Sequence, residues 1–348
     1  MKLIVSPNVN ESDWDNNIIR LNGCCLHSYK WSVYSAENNS ATPLYFQLKD
    51  DQNKVVAASF GLWNEKRAGI RLHSLLSFGS MPAAINSSHR RALTAEILDY
   101  CRENKVVKLS MNSFGIPYDS EYMNDMDFIT SRRWEFVLDI AHSEEELWNN
   151  FHSKKRNSIR KGEKSGIIVR RETDLDFLLH YRKLALDTYN RKTSQGIPYP
   201  KPLSESQIKR YKQRLIDTGI GRMYLAFKDE EVVAGAFFIG CHSSAYYMLS
   251  ASSDLGLKSA APDSILWTAI RDYQKAGYGI FNFGGLSESE LNGKPLETSG
   301  LYQFKKRFSP EIVACFKGHI VLRPKSDTFY QTLVRIKNTF GAVTSNKN

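Results

Sequence analysis

The stretch RMYLAFKDEEVVAGAFF, residues 222–238, consists of two apolar runs on either side of a short acidic turn. Strand-forming residues that flank such a turn predict a β-hairpin. The pattern occurs again at residues 43–60, PLYFQLKDDQNKVVAASF, where aspartate and asparagine residues mark the turn. The two copies share residue types at matching positions, which are Tyr45, Lys49 and Asp50 in the first and Tyr224, Lys228 and Asp229 in the second. The sequence therefore predicts two related hairpins.

A helix and then a strand follow each hairpin in the same order. Apolar residues at helical spacing precede the strand KVVKLSM in the first copy and the strand GIFNFGG in the second. These apolar residues are Leu93, Ile97, Leu98 and Cys101 in the first copy, and Leu266, Ala269, Ile270 and Tyr273 in the second. Because one unit occurs twice in the same order, the sequence predicts two domains of one fold.

The repeated unit also predicts the fold class. A hairpin followed by a strand, a helix and another strand forms an α/β (α+β) layer, in which a mixed, twisted sheet is flanked by helices. We assign residues 1–142 and 320–348 to the N-terminal domain and residues 143–319 to the second domain. The last helix, with Phe329, Leu333 and Ile336 at helical spacing, is expected to pack back on the first domain.

The composition is that of a globular protein. The 348 residues are 42% hydrophobic and 12% aromatic, so the chain can bury a core. No apolar run approaches the roughly 20 residues that a membrane span needs, and the N-terminus turns polar too early for a signal peptide. Five cysteines without a CxxC motif fit reduced thiols better than a metal site. We therefore expect a cytoplasmic protein with no integral membrane segment and no metal.

The net charge of +10 is carried by the second part of the chain. Residues 1–140 contain 15 lysines and arginines against 16 acidic residues, whereas the remaining 208 residues contain 32 against 21. A basic half beside a neutral half indicates a domain that binds a polyanion or a phosphorylated substrate. The other interpretation of this surplus is a soluble basic surface.

A strongly basic helix is predicted at the start of the second domain. Ser143 and Glu146 form a capping box, and the helix is expected to run through LWNNFHSKKRNSIRKGEKSG to Gly166. Its cations are Lys154, Lys155, Arg156, Arg160, Lys161 and Lys164. Such a run is usually a solvated helix face, yet no acid interrupts it before Glu163. Its density favours contact with phosphate or nucleic acid.

The segment GLYQFKKRFSP, residues 300–310, combines three aromatic residues with three consecutive cations. A solvated helix face explains the cations but not the aromatic residues Tyr302, Phe304 and Phe308, and a core strand explains only the aromatic residues. The wall of a binding site suits both, because aromatic rings shape a cavity and a cation meets negative charge. The segment is therefore a candidate part of a functional site.

The order of several motifs resembles that of the Fem family of aminoacyltransferases, which build peptidoglycan interpeptide bridges. The motifs are HSYKW at 27–31, the basic helix, DTYNRKTSQGIPYP at 187–200, AYYMLSASSD at 245–254, AGYGIFNFGG at 276–285 and GLYQFKKRF at 300–308. The resemblance covers most of the chain and is strongest from 143 to 310. It implies two tandem GNAT-like (acyl-CoA N-acyltransferase-like) domains and an enzyme that transfers an acyl group to an amine. The seryl-tRNA-synthetase-like arm of some members is missing here.

The resemblance also implies roles for individual residues. Phe304 and Lys305 correspond to the pair at the family's reaction centre. The resemblance also implies substrate-binding residues. It places Tyr246, Tyr247 and Tyr302 in the acceptor channel. It places Lys30 or Arg191 at the phosphates of a nucleotide- or lipid-linked substrate. The cations of the basic helix are the candidates for nucleic acid or phosphate.

Lys305 has a chemical role in such a transfer. When an amine attacks an ester or thioester carbonyl, the transition state carries an oxyanion, and losing one group that stabilises it costs about 3 kcal/mol. Aromatic neighbours such as Phe304 screen the lysine charge less than water does. The alternative is a lysine at a strand edge that reaches solvent. No protein base is predicted, because Asp263, directly after Pro262, fits an ordinary first-turn acid.

The acyl donor is indicated by one turn of the chain. Acetyl-CoA enzymes of this superfamily hold the pyrophosphate with a glycine-rich loop at a helix N-terminus. The corresponding turn here, DLGLKSAAPDS at 254–264, lacks the glycine pair, which favours aminoacyl-tRNA and no tightly bound cofactor. The expected function is aminoacyl transfer to an amine of a UDP- or lipid-linked peptidoglycan or surface polysaccharide precursor, approached at the inner membrane surface. The alternatives are an acetyl-CoA-dependent sugar N-acetyltransferase and a catalytically silent relative that binds tRNA or the precursor.

Overall fold

The computed structural model describes residues 1–68, 70–115, 121–196, 201–291 and 293–345, so the last four residues of the motif at 187–200 lie outside it. The strands in these ranges are β1 (Lys2–Ser6), β2 (Thr42–Lys49), β3 (Val55–Ala68), β4 (Ile70–Phe78), β5 (Ala83–Ala84), β6 (Lys108–Asn112), β7 (Ile129–Asp139), β8 (Ile168–Glu172), β9 (Gly221–Lys228), β10 (Glu231–Cys241), β11 (Ser244–Ser252), β12 (Ile280–Ser287) and β13 (Glu311–Val321). The α-helices are α1 (Glu11–Arg20), α2 (Tyr29–Asn39), α3 (Ser87–Glu103), α4 (Glu121–Asp125), α5 (Glu144–Asn150), α6 (Ser153–Lys164), α7 (Leu175–Ser194), α8 (Glu205–Tyr211), α9 (Asp254–Lys258), α10 (Ala261–Lys275), α11 (Glu288–Leu291), α12 (Gly300–Lys306) and α13 (Pro324–Ser345). None of the helices in these ranges is both long enough and apolar enough to cross a membrane.

The chain divides into two compact units. The first comprises Met1–Gly23, Ser35–Ser131 and Cys315–Asn348, and the second comprises Cys24–Tyr34 and Arg132–Ala314. The start of α2 and most of β7 therefore belong to the second unit, and most of β13 belongs to the first. The predicted domains, 1–142 with 320–348 and 143–319, divide the chain at other residues.

The strands of the first unit are hydrogen-bonded in the order β1, β2, β3, β4, β6 and β13, and β5 pairs with β3. The predicted hairpin is formed by β2 and β3, which pair from Thr42 with Trp63 to Lys49 with Val55. The neighbours β4 and β6 are parallel and α3 connects them, whereas the other pairs are antiparallel. The predicted apolar stripe of α3 is buried in the core with side chains of β2, β4 and β6.

The second unit repeats this arrangement. Its strands follow the order β7, β12, β11, β10, β9 and β8. The predicted hairpin is formed by β9 and β10, and Lys228 pairs with Glu231 next to the turn. The neighbours β11 and β12 are parallel, with α10 between them in the chain, and the other pairs are antiparallel. The apolar stripe of α10 is buried in the core of this unit, so the predicted repeat of a hairpin, a helix and a strand is confirmed.

The predicted basic helix is in fact two helices, because the chain is extended at residues 151 and 152. The capping box at Ser143 is present, but α5 ends before Phe151, and both Phe151 and His152 have a ψ of 141°. The ring of Phe151 is buried, with its centroid 5.4 Å from that of Trp267. His152 then caps α6, since its Nδ1 accepts a hydrogen bond from the amide of Lys154 at 3.1 Å. The prediction of one continuous helix was wrong, because the burial of Phe151 takes the chain off the helical path.

The C-terminal helix α13 packs against β4 through a different face from the predicted one. Asp327 lies 3.0 Å from Nε2 of His73, and Tyr330 stacks on the same imidazole with ring centroids 4.6 Å apart. The predicted contact residues are instead exposed, Phe329 by 56%, Leu333 by 37% and Ile336 by 48%. They lie about a third of a turn around the helix from the contact face. The apolar spacing identified a helix correctly, but a polar and aromatic contact decides which face meets the sheet.

Candidate active site

The two parallel strands of the second unit separate after three residue pairs. The last of these pairs joins Tyr246 of β11 to Asn282 of β12. The pairing of β12 with β7 is interrupted at the same place, where the register shifts between Asn282 and Gly285. Gly284, with a φ of +68°, lies at this irregularity. The end of the parallel pair is therefore an opening in the sheet, next to a bend in β12.

Glu135 of β7 lies at this opening, with only 1% of its surface exposed. Its carboxylate accepts hydrogen bonds from the hydroxyl of Tyr246 and from Nδ2 of Asn282, the latter at 2.8 Å. The guanidinium nitrogen Nε of Arg133 lies 3.6 Å from the same carboxylate. Partners of this kind offset the large cost of burying a carboxylate. Glu135 therefore joins β7, β11 and β12 where the two parallel strands separate.

The bend in β12 brings backbone close to Lys305. Asn282 stabilises the bend, because its Oδ1 accepts a hydrogen bond from the amide of Gly284 at 2.8 Å. A Cβ atom at Gly284 would lie 3.1 Å from the carbonyl oxygen of Tyr247 and 3.9 Å from Nζ of Lys305. The positive φ and this close approach both favour glycine.

Lys305 reaches the opening from α12 and is only 4% exposed. Its ammonium donates to the carbonyl of Gly285 at 3.4 Å and lies 5.4 Å from the centroid of the Phe136 ring. Burial, followed by the charge of Arg133, lowers the pKa of Lys305 from 10.5 to about 7, against the opposing charges of Glu135 and a second glutamate. The protonated and neutral forms of Lys305 are therefore both present at neutral pH.

The three tyrosines predicted to line a channel all lie near this group. Burial, and then the charge of Glu135, raise the pKa of Tyr246 well above 10, so its hydroxyl stays protonated and donates to the carboxylate. Tyr247 supplies the carbonyl oxygen beside the bend of β12. Tyr302 of α12 packs edge-on against Phe136, with ring centroids 5.7 Å apart. These contacts place aromatic surface next to Lys305, while binding of an acceptor by the tyrosines stays a prediction.

A second buried lysine, Lys155 of α6, contacts the aromatic side chains of the segment that carries Lys305. Its ammonium lies 3.9 Å and 4.1 Å from the ring centroids of Phe304 and Phe308, and it forms an ion pair with Asp263 of α10. Burial lowers the pKa of Lys155, and the charge of Asp263 opposes this effect. The sequence placed Lys155 on a phosphate-binding surface, but the residue is only 2% exposed. Lys155 instead joins α6, α10 and α12. Asp263 lies in the first turn of α10, as predicted, and it also forms this ion pair with Lys155.

The other cations of the basic segment remain at the surface. Those that are exposed are Lys154, Arg160, Lys161 and Lys164. Arg156 is half-buried and donates to the carbonyls of Asn149 at 2.9 Å and Phe151 at 2.5 Å. The exposed face of α6 is therefore cationic, and its contact with phosphate or nucleic acid stays a prediction.

The two predicted contacts to substrate phosphates each bind protein oxygens. The ammonium of Lys30 donates to the carbonyl of Thr218 at 3.0 Å. Arg191 forms an ion pair with Asp254 and donates to the carbonyl of Ser252 at 3.1 Å. These contacts orient both cations, and their role toward phosphate stays a prediction.

Sequence reasoning missed three members of the buried group, Glu135, Arg133 and Asn282. Asn282 lies between two phenylalanines in GIFNFGG, and Glu135 lies between a tryptophan and a phenylalanine in RRWEFVLD, so each is a polar residue between aromatic ones, which is a usable signal. A polar side chain in a core strand needs a hydrogen-bond partner. The sequence does not reveal that both residues share one partner, because β7 and β12 meet only in the folded sheet.

The fold is similar to that of several solved structures. The structure of FemX has a TM-score of 0.73 and 15% sequence identity, over 95% of this chain and 99% of that chain. The C-terminal domain of a putative lysylphosphatidylglycerol synthetase from Agrobacterium fabrum has a TM-score of 0.55 and 11% identity, over 93% of this chain and 96% of that chain. A tandem GNAT protein from the clavulanic acid biosynthesis pathway has a TM-score of 0.52 and 10% identity, over 92% and 98%. At these identities the likeness shows the fold, which consists of tandem GNAT-like domains.

The family comparison is more specific than the structural one. No curated protein matches the chain at a significant level. The model of the FemAB family matches residues 80–196 and 204–333, which is more than half of the chain. At the family level, the activity is aminoacyl transfer in peptidoglycan precursor synthesis. The chain therefore belongs to the FemAB family, and it is an acyltransferase that transfers its acyl group to an amino group.

Proposed function

We propose that this chain transfers an aminoacyl group from aminoacyl-tRNA to an amine of a UDP- or lipid-linked cell-envelope precursor. The observation that carries the proposal is the enclosed Lys305, whose pKa is about 7, beside the opening between β11 and β12. Attack of an amine on an ester needs a group that both accepts and returns a proton near neutral pH. A lysine with this pKa meets the need, whereas an exposed lysine stays protonated.

In the proposed reaction, the acceptor amine attacks the carbonyl carbon of the aminoacyl ester. As the C–N bond forms, neutral Lys305 accepts a proton from the amine nitrogen. The resulting ammonium lies beside the oxyanion of the tetrahedral intermediate and stabilises it. When the C–O bond to the ribose breaks, the ammonium returns the proton to the leaving oxygen. Lys305 is then neutral again and ready for the next turnover.

Glu135 has a positioning role in this scheme. Its negative charge raises the pKa of Lys305, so that the lysine still binds a proton near neutral pH. Its hydrogen bonds to Tyr246 and Asn282 hold β11 and β12 at the distance that the opening requires. The carboxylate therefore sets both the charge and the geometry around Lys305.

The first turn of α10 supports aminoacyl-tRNA as the donor over acetyl-CoA. A CoA pyrophosphate needs amides that point out of a helix N-terminus. Here Pro262 has no N–H, and the amides of Asp263 and Ser264 donate to the carbonyl of Ala260 at 3.1 Å and 3.3 Å. Helix α6 also covers the turn, since a Cβ atom at Gly162 would lie 2.1 Å from Oγ of Ser264.

The charge of the chain supports a phosphorylated acceptor. The net charge is +10, and the surplus lies in the second part of the chain. Within the proposal, Lys30 and Arg191 bind the phosphates of the acceptor, and the tyrosines near Lys305 bind the part that carries the amine. Because charged tRNA and UDP-linked precursors are cytoplasmic, we place the reaction in the cytoplasm or at the inner membrane surface.

The proposal is tested by supplying each donor separately. The purified protein is incubated with a UDP-linked or lipid-linked muropeptide, together with either tRNA charged with radiolabelled amino acids or radiolabelled acetyl-CoA. We expect label from charged tRNA to enter the precursor, and no transfer when the amine of the precursor is blocked by acetylation. Transfer from acetyl-CoA alone would replace the proposal with a sugar N-acetyltransferase. Binding of tRNA and precursor without any transfer would replace it with a catalytically silent relative.

Glu135→Gln is expected to shift the pH dependence of transfer. The substitution removes a charge that raises the pKa of Lys305, while the amide keeps the shape of the side chain. The pKa of Lys305 therefore falls further, and neutral Lys305 becomes abundant at lower pH. We expect the midpoint of the rising limb of kcat/KM to move down by about one pH unit. The measurement is kcat/KM as a function of pH across the neutral range.

Tyr246→Phe is the matched control for this prediction. It removes the hydrogen bond to Glu135 but leaves the charges of Glu135 and Lys305 in place. Its midpoint should therefore stay close to that of the wild type. If Glu135→Gln shows an unshifted midpoint as well, Glu135 does not act through the protonation of Lys305.

A further inference from the structure

A cavity of about 500 Å³ opens on the second unit, between α5, α6 and α10. It is lined by two tryptophans, two arginines and three glutamates. Among the described residues that line it, none belongs to the buried group around Lys305. The volume suits a nucleoside or a sugar ring. Nothing in the proposed transfer step uses this cavity, and its lining has a definite chemistry.

Flat aromatic and cationic surfaces form much of the wall. The rings of Trp148 and Trp267 have centroids 5.5 Å apart and planes inclined by 44°. The guanidinium of Arg160 lies 5.3 Å from the Trp148 ring, and that of Arg271 lies 5.4 Å from the Trp267 ring. Nucleobases stack on tryptophan rings and on guanidinium planes of this kind. The wall therefore suits a planar ring.

The carboxylates of the wall select against phosphate inside the cavity. Glu144 forms an ion pair with Nη1 of Arg271 at 3.2 Å, and Glu145 and Glu163 line the same space. With three carboxylates and two guanidinium groups, a phosphate would meet net negative charge. A ring that carries an amino group instead finds acceptors for its N–H donors. The cavity thus favours an uncharged base with an exocyclic amino group.

Positive charge lies directly beside the cavity on the same helix. Arg160 and Glu163 of α6 line the cavity. The other exposed cations of this helix are Lys154, Lys161 and Lys164. Helical spacing puts Lys164 one turn after Arg160, at the edge of the cavity. A slot for a flat ring next to a row of cations matches a single strand of nucleic acid, in which bases and phosphates point in different directions.

We propose that this cavity binds an unpaired nucleobase of single-stranded RNA, while the lysines of α6 bind the flanking phosphates. The inference rests on the proposed aminoacyl-tRNA donor and identifies the part of the donor that binds here. That part is the single-stranded 3′ end of tRNA, whose cytosine and adenine bases carry amino groups. Uracil has no exocyclic amino group and binds more weakly. A sugar also stacks on tryptophan, but an uncharged sugar does not account for the neighbouring lysines.

Fluorescence anisotropy of a labelled RNA tetranucleotide, ACCA, measures the binding. The same measurement is made with a tetranucleotide of uracil and with an abasic chain of equal length, so that the phosphates are kept while the bases change. For the wild type, we expect ACCA to bind about tenfold more tightly than the abasic chain, with the uracil chain in between. Trp148→Leu is expected to bind ACCA about tenfold more weakly and the abasic chain as tightly as the wild type. The retained abasic affinity shows that this variant is folded.

Lys161→Ala is the matched control, because it alters the charge outside the cavity and leaves the wall intact. It should weaken the binding of the ACCA and abasic chains to the same extent. It should also reduce the magnitude of the slope of log affinity against log salt by about one. The two variants therefore separate base binding from phosphate binding.

Three other results would overturn the inference. If Trp148→Leu binds ACCA with wild-type affinity, the cavity does not take a base, and the proposed function stands as long as charged tRNA still donates in the transfer assay. If a muropeptide disaccharide displaces no RNA but binds the wild type and not Trp148→Leu, the cavity is a carbohydrate site. If the wild type binds none of the chains and transfers only from acetyl-CoA, the inference and the proposed donor fail together.

Discussion

Lys305→Met is expected to remove most of the activity and to stabilise the fold at the same time. We expect kcat/KM to fall at least a hundredfold, because methionine cannot take a proton from the amine or stabilise the oxyanion. The free energy of unfolding should rise in acidic solution, because the folded variant no longer buries an ammonium. The gain in stability follows from the burial that lowers the pKa of Lys305 to about 7.

The stabilisation has a definite pH dependence. The pKa of Lys305 is about 7 in the folded protein, against an ordinary value of 10.5 in the unfolded chain. Below about pH 7 both states bind the proton, and the full cost of burying it opposes folding. As the pH rises from there toward the ordinary value, only the unfolded chain binds the proton, and the cost declines to zero. The free energy of unfolding of the variant should therefore exceed that of the wild type by up to about 5 kcal/mol below neutral pH and match it in strongly alkaline solution.

Urea denaturation at a series of pH values measures the stability, and the transfer assay measures the activity. Lys305→Arg is the matched variant, because arginine keeps the charge but cannot give up its proton. We expect it to be as inactive as Lys305→Met. Wild-type turnover by Lys305→Arg would assign Lys305 a fixed positive charge beside the oxyanion, which is the role that the sequence alone suggested. It would contradict the proposed proton transfer.

Lys155→Ala is expected to lower the free energy of unfolding by about 3 kcal/mol. The substitution removes an ammonium that packs on the rings of Phe304 and Phe308. It also leaves the carboxylate of Asp263, whose side chain is only 13% exposed, without its partner. Because Phe304 precedes Lys305 in α12, we expect kcat/KM to fall as well. Urea denaturation at neutral pH measures the loss of stability.

The double variant Lys155→Met with Asp263→Asn is the control for this prediction. It replaces both charges of the ion pair with groups of similar size, and such replacements are often close to neutral. We expect its stability to lie within about 1 kcal/mol of the wild type. If the free energy of unfolding falls as much in the double variant as in Lys155→Ala, the ion pair is not the source of the lost stability. If Lys155→Ala unfolds at the wild-type urea concentration, Lys155 does not hold α12 in place.

The parts of the fold that the sequence predicted correctly depend on short-range patterns. The hairpins around residues 50 and 229 were predictable because turn residues and flanking apolar runs are neighbours in the chain. The stripes of α3 and α10 were predictable because helical spacing alone decides which side chains share a face. The order of the motifs also predicted the family, which the match over more than half of the chain shows.

The incorrect predictions involve contacts between distant residues. Phe151 ends a helix because rings elsewhere in the chain form a site for its side chain. Lys155 looks like a surface cation in the sequence, since the residues that bury it, Phe304 and Asp263, lie more than a hundred positions away. The face that α13 turns toward β4 is likewise decided by the distant His73.

By itself, the sequence determined the repeated layer, the family and the segment that carries Lys305. Only the tertiary structure decided how that lysine behaves. Its pKa is set by the loss of water around the ammonium and by the opposing charges of Arg133 and Glu135, which lie on strand β7. Solvent exclusion and Coulomb interactions depend on distances in space rather than on position in the chain. The folded arrangement of β7, β12 and α12 therefore turns an ordinary lysine into one that exchanges a proton near neutral pH.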